Sequence, residues 1–150
     1  MLCLRHVPHR ENIVIEQFYR KMLWAGTYPL LLALMVGATW VDRIYAQSLN
    51  AALPPGALAA PMQRVSDLLL LVSAAVVLAG LLSAWLLNGM GRALVIASLA
   101  VFCLEFLLPV VANLLPGGAI YFAMLGPALR VGTLLAALGL ALLAARRVLA

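Results

Sequence analysis

The sequence predicts an all-α integral membrane protein: an antiparallel four-helix bundle with a short N-terminal interfacial helix. Three observations carry this. Hydrophobic residues make up 66% of the 150 positions, and only 10% are charged, against about 25% charged in soluble domains. The apolar residues gather into four stretches, approximately 22–41, 68–87, 93–114 and 119–145. Each supplies the roughly 20 apolar residues that cross about 30 Å of hydrocarbon as a helix. One transmembrane domain over 1–150 follows, with 1–21 as a cytoplasmic arm.

In the arm, Val14 with Phe18 and Ile15 with Tyr19 stand four residues apart, opposite Glu16, Gln17 and Arg20. That spacing predicts a short helix over 11–21 lying on the membrane surface and running into the first span, with Pro8 as its upstream limit. The run from Met22 to Val41 is too long for a signal-peptide core and lacks a small-residue cleavage site, so it reads as a retained helix. Trp24 and Tyr28 at one end of this span, and Trp40 and Tyr45 at the other, fit an aromatic belt. The segment Ala51–Pro61 contains Pro54, Pro55 and Pro61, which predicts an irregular connection. Asn88–Gly91 and Leu115–Gly118 read as tight turns that make spans two, three and four sequential antiparallel neighbours.

Small residues recur at four-residue spacing: Ala33 and Gly37; Ala75, Ala79 and Ser83; Ala93 and Ala97; Ala128, Gly132 and Ala136. In lipid such stripes let backbones approach and mark helix contacts. Orientation follows from charge. Arg5, Arg10, Arg20, Lys21, Arg92, Arg146 and Arg147 fall on one side, and only Arg43 and Arg64 on the other. This asymmetry predicts both termini in the cytoplasm of a multi-pass protein of a bacterial inner membrane. Asp42, Arg43, Arg64 and Asp67 then read as interfacial anchors of the outer loop.

The net charge of +5 does not point to nucleic acid, because the basic residues sit at span ends rather than in a patch interleaved with aromatics. Cys3 and Cys103 are too far apart in the chain's organisation to form a redox pair, and Cys103 reads as an apolar packing residue. His6 and His9 lie together in the arm with no acidic or thiolate cluster beside them, so no metal or haem site is expected and no cofactor is called for. No nucleotide-binding or hydrolase motif occurs, which points away from an enzyme.

Two ionisable residues lie deep in spans. Glu105 is twelve residues before Gly117 and Arg130 thirteen after it, which places them at one depth about 18–20 Å from the turn. A lone charge there costs about 2.5–3.5 kcal/mol, so the two are expected to pair inside the bundle. Pro109, lacking an N–H, frees the carbonyl of Glu105, and Pro127 frees that of Ala123; both are expected helix kinks. The functional expectation is an accessory, assembly or scaffold subunit that works through its helices, its partners being the bilayer and other membrane subunits or copies of itself. The alternative is a small oligomeric transporter or channel using Glu105 and Arg130.

Overall fold

A computed structural model describes residues 9–52 and 59–150, and all four elements are helices. They are α1 (His9–Ala52), α2 (Ala59–Leu86), α3 (Gly89–Leu114) and α4 (Gly118–Leu149). All four contain a stretch long and apolar enough to cross a membrane. The helices outrun the apolar stretches. Asp42–Ala52, beyond the expected end of the first span at 41, continues α1, because polar side chains do not stop a helix and no proline intervenes before Pro54. Pro61 falls in the first turn of α2, where its missing N–H has no helical acceptor to lose.

No break separates the arm from the first span. Residues 13–21 form the early turns of one 44-residue helix, and Val14, Ile15, Phe18 and Tyr19 are all exposed on it. Pro29, Pro109 and Pro127 lie inside α1, α3 and α4 respectively. The helices run on through them because lost backbone bonds are tolerated where neighbouring helices cover the site.

The connection from α3 to α4 is closed by glycine. Gly117 adopts φ +72°, in the left-handed region, which costs little without a Cβ. A Cβ on Gly118 would fall on the carbonyl oxygen of Ala112.

Around the bundle, α1 packs on α2 and α4, and α3 packs on α4 and α2. The inward residues step along each helix by alternating threes and fours: Ala25, Tyr28, Leu32 and Met35 on α1; Gly91, Val95, Ser98, Phe102 and Glu105 on α3; Leu134, Ala137, Ala141 and Ala144 on α4. This is the 3.5-residue seam of coiled-coil-like packing. On α2, Ser73, Val76, Ala79, Gly80 and Ser83 occupy the same seam. Gly80 is needed for close approach, because a Cβ there would sit 2.8 Å from Leu99 Cδ1 and 3.0 Å from Tyr28 Cε2.

The small-residue stripes divide unequally. Ala79 and Ser83 of the α2 stripe are buried, but Ala33, Gly37, Ala93, Ala97, Ala128, Gly132 and Ala136 all face outward. The bundle uses other small residues instead, with Ala137, Ala141 and Ala144 no more than 1% exposed. Two further readings are corrected. Tyr28 is core rather than belt, being 1% exposed, and Cys103 is exposed on the outer face of α3 rather than packed within. Trp40 is exposed and Trp24 half-buried. Cys3 and His6, and the side chains of His9 and Tyr45, lie outside the described part of the chain.

The packed core does not fill the whole length. It ends at the level of Met35, Ser73, Glu105 and Leu134. Beyond that level, towards the α3–α4 turn, only Gly118 and Gly126 are buried among the described residues.

Candidate functional site: a charged layer where the core ends

Two polar layers interrupt the apolar seam. In the first, Ser98 Oγ donates to the carbonyl of Ala137 at 2.6 Å and lies 3.0 Å from Tyr28 Oη. A serine hydroxyl has one proton. With that proton on Ala137, the tyrosine must be the donor to Ser98. The resulting chain Tyr28→Ser98→Ala137 ties α1, α3 and α4 together through groups that are otherwise costly to bury. Ser83 Oγ donates to the carbonyl of Ala79 in its own helix at 2.7 Å, with the carbonyl of Trp24 on α1 a second, longer acceptor at 3.2 Å.

The second layer closes the core. Glu105, on the inward seam of α3, has a side chain only 1% exposed. Arg130 Nε donates to its Oε1 at 2.9 Å, and an Arg130 terminal nitrogen lies 2.8 Å from the same oxygen. The other oxygen, Oε2, is buried with no hydrogen-bond partner among the described residues. The two ends of the pair differ sharply, because the Arg130 side chain is 50% exposed. Four residues separate Arg130 from the buried Leu134, so it projects from the same face of α4. Its exposure comes from the absence of core beyond it.

That opening is a cavity of about 210 Å³ lined by Thr39, Asp42 and Arg43 of α1, Leu69 of α2, and Pro127 and Arg130 of α4. Asp42 and Arg43, which the sequence places at the outer end of the first span, line the same cavity as one of the deep charges. They share one opening with Arg130. Sequence spacing could place Glu105 against Arg130 through a short turn, but it held no measure of how α1 lies along α4. Thr39 is a further polar lining residue that sequence reasoning passed over. Its single hydroxyl proton is directed back to its own helix, where the carbonyls of Val36 at 2.8 Å and Met35 at 3.1 Å are the acceptors within reach.

Pro109 and Pro127 flank this layer on α3 and α4, and Pro127 lines the cavity itself. Pro29, which the sequence reading did not single out although its signal is identical, lies beside Tyr28 in the other polar layer. The arm residues Val14, Ile15, Phe18 and Tyr19 are at the far end of α1 and contribute nothing to the charged layer. Among the described residues no group of three or more His, Cys, Asp or Glu is placed to hold a metal ion.

Comparison with protein-family models, with curated proteins and with solved structures found no match.

Proposed function

We propose that this small polytopic membrane protein is a non-catalytic accessory, assembly or scaffold subunit, built as an antiparallel four-helix bundle that associates through its outer faces. Support for the antiparallel order comes from contacts whose residue numbers rise on one helix as they fall on the other: Gly91 with Val148, Ser98 with Ala137 and Glu105 with Arg130. The observation that carries the subunit reading is the outward placement of the small-residue stripes. A Cβ on Gly26, Gly37, Gly132 or Gly139 would meet nothing within 4 Å, so the bundle itself gains nothing from their smallness. In lipid, smallness on a helix surface serves close approach by another helix.

The Tyr28–Ser98–Ala137 chain supports the same reading, because its polar groups are spent on one another. In this reading both termini face the cytoplasm of a bacterial inner membrane, and the exposed Val14, Ile15, Phe18 and Tyr19 rest on the lipid surface or on a partner.

The test is association in mild detergent. Native mass spectrometry of the protein extracted from its membrane should find it with further copies or subunits, and Gly37→Leu or Gly132→Leu should weaken that association while leaving helix content intact. A wild-type protein that is extracted as a lone monomer would end the subunit reading. A second reading, a small oligomeric transporter or channel, rests on the half-exposed Arg130 in its cavity and the unpartnered Glu105 Oε2. Loss of a pH-dependent flux from vesicles by Glu105→Gln, in a protein that still assembles, would favour it.

A further inference from the structure

We propose that the cavity between α1, α2 and α4 is a binding site for a zwitterionic group carrying a phosphate and an ammonium, with Arg43 and Arg130 taking the phosphate and Asp42 the ammonium. The proposal is independent of the subunit reading.

The charge inventory of the cavity selects the ligand class. Asp42 and Arg43 both line it, yet among the described residues neither forms an ion pair; the only ion pairs are Glu16–Arg20 and Glu105–Arg130. A carboxylate and a guanidinium thus face one small space without closing on each other. Arg130 adds donors without adding net charge, because Glu105 already neutralises it. Its Nε and one terminal nitrogen are engaged by Glu105 Oε1, which fixes the plane of the guanidinium and leaves N–H groups on its other edge for a second acceptor. Glu105 is in this respect a positioning residue.

A simple anion would gain from Arg43 and Arg130 and lose to Asp42. A simple cation would face the reverse. A ligand carrying both charges meets a complementary group at each end, and the complex stays neutral.

Location strengthens the case. Asp42 is ten residues from the end of α1 and Arg130 twelve from the start of α4, so the site lies about 15–18 Å short of the helix ends. Among the described residues no counter-ion closes on Asp42 or Arg43, and a ligand that carries both charges supplies one to each. At about 210 Å³ the cavity takes a headgroup and not acyl chains. Its surroundings suit chains outside it, since Val41, Leu68 and Leu129 are exposed on the three helices that form it. The zwitterion can therefore arrive as a lipid headgroup or as a free solute, and the chemistry of recognition is the same.

Binding should be measured by calorimetry on the full chain in detergent with four probes: glycerophosphoethanolamine, glycerophosphoglycerol, and the dihexanoyl phospholipids bearing these two headgroups. The expected result is at least tenfold tighter binding of the ethanolamine member of a pair. Preference within the free headgroups assigns a soluble source, and preference within the lipids alone assigns a membrane source. Asp42→Asn should abolish the preference, and Arg43→Gln should weaken both members of the pair. Both residues lie outside the packed core, so far-UV circular dichroism should be unchanged. Equal binding of ethanolamine and glycerol probes by the wild-type protein, no binding of any probe, or a preference that survives Asp42→Asn would overturn the proposal.

Discussion

The Glu105–Arg130 pair should respond asymmetrically to removal of its two members. Arg130→Gln leaves a carboxylate whose side chain is 1% exposed with no counter-ion, and an uncompensated buried charge costs about 3–5 kcal/mol. Glu105→Gln leaves a guanidinium that is 50% exposed and can turn towards the cavity. The remaining loss is that of charge-assisted hydrogen bonding weakened to a neutral acceptor, about 1–2 kcal/mol. In the double variant no ion remains, so its loss should fall about 1–3 kcal/mol short of the sum of the singles. The assay is reversible unfolding of the purified protein in mixed micelles, followed by helix content as the denaturing detergent fraction rises. Equal losses for the two single variants would refute the burial asymmetry, and strict additivity would mean that the two charges do not interact.

Further outcomes follow from the rest of the bundle. Ser98→Ala should cost about 1–3 kcal/mol, because it strands the buried Tyr28 hydroxyl, and adding Tyr28→Phe to it should restore part of that loss in the same unfolding assay. Gly80→Ala should destabilise by about 1–3 kcal/mol, since its methyl group would press on Leu99 and Tyr28, whereas Gly132→Ala should be neutral or slightly stabilising through helix propensity. Reporter fusions at Ala150 and within residues 53–58 should report opposite sides of the membrane; the same side would refute the four-span topology. Spin labels on Val14, Ile15, Phe18 and Tyr19 should be shielded from aqueous quenchers in bilayers while Glu16 and Gln17 stay accessible, and uniform exposure would remove the arm from the membrane surface.

Much of the architecture was fixed before any contact formed. Four apolar stretches can satisfy their backbone in lipid only as helices or closed barrels, and their length selects helices, so composition and stretch length together point to an all-α membrane protein. Chain connectivity then brings Glu105 and Arg130 within reach, because a short turn forces the two arms of a hairpin into register. Local rules carried no further than that. Whether a small residue faces a neighbour or lipid depends on which side of its helix turns inward, and in a chain this rich in alanine several faces qualify. Only packing chose Ala137, Ala141 and Ala144 for the seam and left Gly37 and Gly132 outside. The same holds for Tyr28, whose amphipathic ring suits a membrane interface equally well until Ser98 on another helix offers it a partner. Asp42 and Arg43 show the limit most clearly: α1 packs directly on α4 but no turn joins the two, so their place beside Arg130 was decided by how far one helix slides along another, a quantity that tertiary packing sets and no local spacing records.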